Sequence, residues 1–157
     1  MRKLHLNFHG YWLDSNREWI PDECGIFCVY KCGYSIATET IVPARLLYIG
    51  DAVSARDRIL SHPRRPDWLR HVGRGEVLCY SFAPAILDRK QAAAALVLKH
   101  HPIENFVLPR DFIPPTELLL SGRIALLNSS FSAGTRTAVH YRLGVDARSV
   151  VRMEAIR

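Results

Sequence analysis

The chain has 157 residues, a length that predicts a single domain. Hydrophobic residues make up 48% of it, a proportion that excludes wholesale disorder. Its formal net charge of +6 favours an anionic partner, most simply nucleic acid. Residues 1–8 alternate basic and apolar side chains, unlike a signal peptide, and no apolar run approaches the roughly 20 residues of a membrane span. We therefore expect a cytoplasmic protein with no membrane partner.

The four cysteines do not form a metal-binding pattern, because no C-x-x-C pair is present. Cys24, Cys28 and Cys32 are spaced by four residues, so on a strand they share one face but lie too far apart for tight metal ligation. Cys79 stands alone in the sequence. We interpret all four as small buried residues of a reduced, cytosolic protein.

Hydrophobic alternation predicts strands in the first third of the chain. Residues 4–8 alternate apolar and polar side chains, which indicates a strand. Residues 25–31 and 41–49 are rich in aromatic and β-branched side chains. They predict two antiparallel strands joined by a long loop over residues 33–40.

Helices and a third strand are predicted in the middle of the chain. Asp51 and Ser54 are helix-start residues ahead of a helix over 55–60, and a short helical segment follows at 67–71. Residues 76–82 predict a third strand. The strongest helix signal covers 89–101, begins at Pro84 or Asp88 and is stopped by Pro102. Segments 117–127 and 150–156 fit either a strand or a short helix.

One corner of the predicted structure concentrates groups that suit a phosphodiester. Arg58 and His62 are four residues apart on one helix and share a face. Tyr48 ends the strand that leads into this helix, and Gly50 lies at the turn between them. The guanidinium matches phosphate geometry with two donors. The phenol could accept a proton from water if nearby positive charge lowered its pKa from about 10.

Gly25-Ile26-Phe27 and Tyr48-Ile49-Gly50 resemble the two signature motifs of the GIY-YIG nucleases. Arg58 lies eight residues after the last glycine, at the place of the family arginine. The strand at 76–82 and the Pro-x-x-Asn ending at Asn105 also match. Two histidines match positions where some members carry histidine, namely His62 and His71.

The resemblance covers residues 24–105 of the single domain and implies an α/β fold. That fold is a small, mainly antiparallel three-stranded sheet flanked by helices. Residues 1–23 and 106–157 would then be terminal elaborations that fix substrate choice or bind a partner. Many relatives cut both strands of DNA by pairing, so the resemblance also makes a homodimer possible.

The family mechanism implies roles for these residues. A tyrosine activates water, and an arginine stabilises the charge on the phosphoryl oxygens. A glutamate holds one divalent ion, magnesium or manganese. Phe27 departs from this pattern, because it stands where the first motif usually has tyrosine. That substitution leaves Tyr48 as the expected base, helped by His62.

Ala93 is the larger departure from the family pattern. It lies twelve residues before Asn105, where the spacing places the metal-binding glutamate, and alanine cannot ligate a metal. Three interpretations stay open. Ala93 is an engineered change, or it marks a natural relic that only binds. Alternatively, the register differs and the carboxylate comes from Glu76, from Asp88, which is a helix-cap residue, or from Glu104, which we expect to be a solvated loop charge.

A basic segment follows the first predicted helix and extends the expected nucleic-acid surface. We expect its arginines to track a phosphate backbone while Trp68 stacks on a base. The arginines are Arg64, Arg65, Arg70 and Arg74. The resemblance thus implies a metal-dependent DNA endonuclease of restriction, phage defence or repair, inactivated at Ala93. The alternatives are a non-catalytic nucleic-acid-binding or assembly module and an RNA-directed nuclease.

Overall fold

The computed structural model describes residues 1–107, 109 and 113–135. The elements of this part of the chain are six strands, three α-helices and one 3-10 helix. The strands are β1 (Arg2–Leu13), β2 (Gly25–Ser35), β3 (Thr40–Ala52), β4 (Glu76–Pro84), β5 (Thr116–Gly122) and β6 (Ser130–Ala133). The helices are α1 (Ala55–Leu60), α2 (Arg65–Leu69) and α3 (Arg89–His100), and the 3-10 helix is Asp14–Trp19.

The six described strands form one mixed sheet in the order β3-β2-β4-β1-β5-β6. Neighbouring strands are antiparallel, except that β5 pairs with β1 in parallel. The expected three-stranded sheet flanked by helices is therefore wrong. The predicted antiparallel pairing of β2 with β3 forms, and β4 pairs with the other edge of β2, but β1 pairs with the free edge of β4 and continues the sheet. Paired edges avoid exposing unsatisfied backbone groups.

Most predicted elements from residue 2 to residue 100 form close to their predicted positions. Ser54 caps α1 as expected, because its Oγ accepts a hydrogen bond from the Asp57 N–H at 3.2 Å. Asp88 occupies the N-cap position of α3, but its side chain makes no capping hydrogen bond. The loop between β2 and β3 is shorter than predicted and covers only residues 36–39.

The C-terminal predictions have mixed outcomes. The segment predicted at 117–127 as a strand or short helix forms β5 in its first part. The second such segment, 150–156, lies outside the described residues. No helix in the described ranges combines the length and apolar character needed to cross a membrane.

The sheet buries apolar side chains on both faces, because consecutive strand residues point to opposite sides. Ile26 and Cys28 of β2 belong to a cluster that includes the inner face of α3. Phe27 and Val29 of the same strand belong to a second cluster that includes α1 and Trp68 of α2. The edge strand β3 therefore lies between helices on both sides of the sheet.

The cysteines differ in part from the expectation that all four are reduced. Cys32 of β2 is bonded to Cys79 of β4, with a Cα–Cα distance of 6.6 Å. Cys28 is buried and Cys24 partly buried, and both are free thiols. No local pattern signals this bond, because the pairing of β2 with β4 brings together residues 47 positions apart.

Candidate functional site

A groove of about 450 Å³ lies beside the edge strand β3. Its walls come from β3, from α1 and the turn after it, from α3, and from the segment that follows α3. Seven of the residues singled out in the sequence line it: Phe27, Tyr48, Gly50, Arg58, His62, Ala93 and Asn105. The fold thus brings into one groove residues that are spread over 79 positions of the chain.

Gly50 allows two aromatic rings to pack against the β3 backbone at the groove. A Cβ atom at this position would lie 2.6 Å from Cζ of Phe27 and 2.9 Å from Cε2 of Tyr48. Cβ atoms in proteins essentially never make contacts this short, so any residue larger than glycine would displace one of the rings. The centroids of the two rings lie 6.1 Å apart, and Phe27 is fully buried.

Tyr48 is partly buried, and its environment works against ionisation of the phenol. Burial raises its pKa, and the nearby carboxylate of Asp51 raises it further. The positive charges of Arg58 and Arg64 lower the pKa but do not outweigh burial. The lowered pKa on which a base role depends is therefore not provided by these neighbours. At neutral pH the phenol keeps its proton and can donate a hydrogen bond.

His62 is a buried, neutral histidine at the groove wall. Its Nδ1 accepts a hydrogen bond from the backbone N–H of Arg64 at 3.1 Å, so the proton of the neutral ring resides on Nε2. Burial, followed by the positive charges of Arg58 and Arg64, lowers its pKa to about 4. The ring packs against Trp68 and Tyr48, with centroid distances of 4.6 and 5.2 Å.

Two exposed cations line the groove, Arg58 on α1 and Lys90 on α3. Neither forms an ion pair within the described part of the chain. Asp51 is the only carboxylate among the described lining residues, and Arg89 donates to its Oδ2 at 2.8 Å. The groove therefore presents mainly positive charge and hydrogen-bond donors.

Among its described lining residues, the groove offers one carboxylate, that of Asp51, as a ligand for a magnesium or manganese ion. Ala93 lines the groove at the expected glutamate position and offers no ligand atom. Within the described ranges, no group of three or more His, Cys, Asp or Glu side chains could hold a metal. The alternative carboxylates lie outside the groove lining. Glu76 contacts Lys31 at 3.6 Å, and Asp88 contacts Arg2 at 2.5 Å.

Glu104 is not the solvated loop charge that the sequence suggested. It is 6% exposed and accepts hydrogen bonds from Nη2 of Arg64 at 2.7 Å and from Nε2 of His71 at 2.6 Å. The prediction failed because these partners precede it by 40 and 33 positions. His71, predicted as a supporting residue, therefore binds this carboxylate and does not line the groove.

Asn105 attaches the segment after α3 to the edge of β3. Its Oδ1 accepts from the Ile49 N–H, and its Nδ2 donates to the Ile49 carbonyl, both at 3.0 Å. The amide thereby satisfies both backbone groups of one β3 residue, as a neighbouring strand would. The Asn105 side chain thus holds β3 and the groove wall in register.

Three arginines of the predicted basic segment have acidic partners within the protein. Arg65 contacts Asp14 at 2.5 Å, and Arg64 contacts Asp67 at 2.7 Å. Arg70 also contacts Asp67, although its side chain remains 73% exposed. These pairs offset part of the positive charge that the sequence assigned to a phosphate-binding surface.

The remaining predicted residues lie outside the groove. Trp68 is 0% exposed and packs beneath His62, so its ring is not available to stack on a base. Arg74 is exposed in the turn before β4. Gly25 allows β2 and β4 to lie close together, because a Cβ atom there would lie 2.2 Å from the carbonyl oxygen of Ala83 on β4.

Two charged lining residues were not predicted as site residues, Asp51 and Lys90. Asp51 directly follows the second motif and was interpreted only as a helix-start residue. Lys90 lies three positions before Ala93 on α3, a spacing that places both on one helix face, and this signal could have identified it. Comparisons of the chain with family models, curated proteins and solved structures found no match.

Proposed function

We propose that the groove binds a phosphodiester of nucleic acid, in the first instance double-stranded DNA. We further propose that the chain is a GIY-YIG-like endonuclease in which alanine replaces the carboxylate required for hydrolysis. One observation carries this proposal. Tyr48, Arg58, His62 and Ala93 come from three regions of the chain, yet they line a single groove.

The chemistry of the groove suits an anion. Arg58 offers a planar pair of donors for phosphoryl oxygens, and Lys90 adds a second positive charge. The protonated phenol of Tyr48 and the Nε2–H of His62 are further donors. Both rings are uncharged at neutral pH, because burial raises the pKa of the phenol and lowers the pKa of the imidazole. This set of groups can hold a phosphodiester but lacks the carboxylate expected to assist its cleavage.

The test restores the missing carboxylate. Ala93→Glu would place a carboxylate on the groove face of α3, and Ala93→Gln matches its size without the charge. We expect the Glu variant to cut DNA with magnesium or manganese, and the Gln variant to leave DNA intact under the same conditions. Adding Arg58→Ala to the Glu variant should abolish cutting.

The substrate panel contains duplex, branched and single-stranded DNA together with RNA. Cutting of RNA alone by the Glu variant would identify an RNA-directed nuclease instead. If a folded Ala93→Glu variant leaves the whole panel uncut with either metal, the nuclease proposal is wrong.

A second candidate is a non-catalytic nucleic-acid-binding or assembly module. The absence of a carboxylate at Ala93 and the predominance of donors in the groove favour it. This candidate predicts that the native chain binds DNA and that Arg58→Ala weakens the binding. It also predicts that Ala93→Glu binds DNA without cutting it, which separates the two candidates in one set of assays.

A further inference from the structure

Glu104 is the centre of a buried ion cluster beside the groove. Its carboxylate accepts from Arg64 and His71, and its backbone N–H donates to the Leu47 carbonyl of β3 at 2.8 Å. A buried carboxylate is unfavourable unless it is paired and hydrogen-bonded, and removing one partner of such a pair is strongly destabilising. The cluster therefore ties the turn between α1 and α2 to β3.

Arg64 connects this cluster to His62. Its guanidinium binds Glu104, while its backbone N–H donates to Nδ1 of His62 at 3.1 Å. Trp68 packs against the imidazole at 4.6 Å between centroids, with an angle of 40° between the ring planes. A rotation of the imidazole would break the hydrogen bond to Arg64 and disturb this packing, so the ring orientation depends on the position of Arg64.

The second nitrogen of His62 belongs to a ring that lines the groove. No protein group in the described part of the chain hydrogen-bonds Nε2. In this part of the chain, three side-chain nitrogen or oxygen atoms are both enclosed and without a hydrogen-bond partner, and Nε2 of His62 is not one of them. Nε2 is therefore not fully enclosed, and the groove that His62 lines is the site where it could meet a ligand.

We propose that Glu104 is a positioning residue that, through Arg64, fixes His62 as an Nε2–H donor toward a phosphoryl oxygen in the groove. The identity of this acceptor rests on the proposed function. His62 then stabilises negative charge on the phosphate and does not help Tyr48 to remove a proton from water. This role replaces the base-assisting role that the sequence suggested for His62.

The test measures the tautomer of His62 directly. Nitrogen-15 NMR of the imidazoles in the full chain at pH 7 distinguishes a protonated from an unprotonated ring nitrogen, and the spectrum of His62→Gln assigns the signals. We expect native His62 to be protonated on Nε2 alone. In Glu104→Ala, Arg64 loses its buried partner, so we expect a measurable population with the proton on Nδ1.

Two variants control for non-specific disruption of the structure around His62. Asp67→Asn removes the other carboxylate that pairs with Arg64 and should leave the His62 tautomer unchanged, because the bond to Glu104 remains. Glu104→Gln keeps the side-chain volume and one acceptor oxygen, so it should retain more of the native tautomer than Glu104→Ala. If the alanine variant does not fold, the native spectrum and a smaller but measurable Nδ1–H population in the Gln variant decide the question.

Two results would overturn the proposal. One is a native His62 that carries its proton on Nδ1 or is doubly protonated at pH 7. The other is an unchanged tautomer in folded Glu104 variants that have lost the contacts to Arg64 and His71.

A kinetic measurement separates this inference from the proposed function. In the Ala93→Glu background, adding Glu104→Ala should lower kcat about tenfold with little change in KM, because a misplaced donor weakens stabilisation of the transition state more than binding of the substrate. Adding Glu104→Gln should lower kcat less. A tenfold loss of kcat/KM that comes only from a higher KM would contradict the positioning role. If Ala93→Glu does not cut nucleic acid, the proposed function fails, while the tautomer measurement still tests Glu104.

Discussion

The buried, neutral state of His62 predicts a specific loss of stability in mild acid. Its folded-state pKa is about 4, against an ordinary value of 6.5. Between these values the unfolded chain binds more protons than the folded chain, so stability falls as the pH falls through this range. With 1.36 kcal/mol per pKa unit, the full loss is about 3 kcal/mol, of which about 2 kcal/mol develops between pH 7 and pH 5.

The assay compares the native chain with His62→Gln by urea unfolding at pH 7 and pH 5. Gln cannot titrate, and its amide oxygen can still accept from the Arg64 N–H. The pKa values of Asp14 and Asp67 are also lowered, but both proteins share them, so their contributions cancel in the difference. The native chain should lose about 2 kcal/mol more than the variant. Equal losses in the two proteins would refute the assignment of a buried, neutral His62.

Two further substitutions test the packing of the groove. Gly50→Ala should destabilise the protein by about 1–3 kcal/mol, because the added methyl group collides with two rings, whereas Gly33→Ala should have little effect because its nearest heavy atom lies at 4.0 Å. Similar unfolding midpoints for these two variants in urea would contradict the collision. Asn105→Ala should reduce the free energy of unfolding by about 2–3 kcal/mol, because both backbone groups of buried Ile49 lose their partner. Denaturant unfolding measures this loss, and native stability in the alanine variant would show that the amide does not hold β3.

The elements that the sequence predicted well are those defined by local patterns. The apolar alternation of β1, the β-rich segments of β2 and β3, and the cap at Ser54 each depend on a few neighbouring residues. The sheet order depends on pairings between distant segments, and neither the parallel pairing of β1 with β5 nor the insertion of β1 beside β4 leaves a local signal. The predicted three-stranded sheet failed for this reason.

The same distinction applies to the groove. The spacing of Arg58 and His62 and the register that placed Ala93 predicted residues that do lie together. By contrast, a solvated Glu104 and a base-stacking Trp68 were inferred from their local sequence. Their burial is produced by partners elsewhere in the chain, the arginine and histidine that bind Glu104 and the rings that cover Trp68.

We propose above all that the groove binds a phosphodiester and that Ala93 stands at the position of the carboxylate required for its hydrolysis. The most direct measurement compares cleavage of labelled duplex DNA by Ala93→Glu and Ala93→Gln, with and without manganese, after circular dichroism has shown both variants to be folded. We predict manganese-dependent cutting by the Glu variant alone. Intact DNA in every reaction, or equal cutting by both variants, would contradict this prediction.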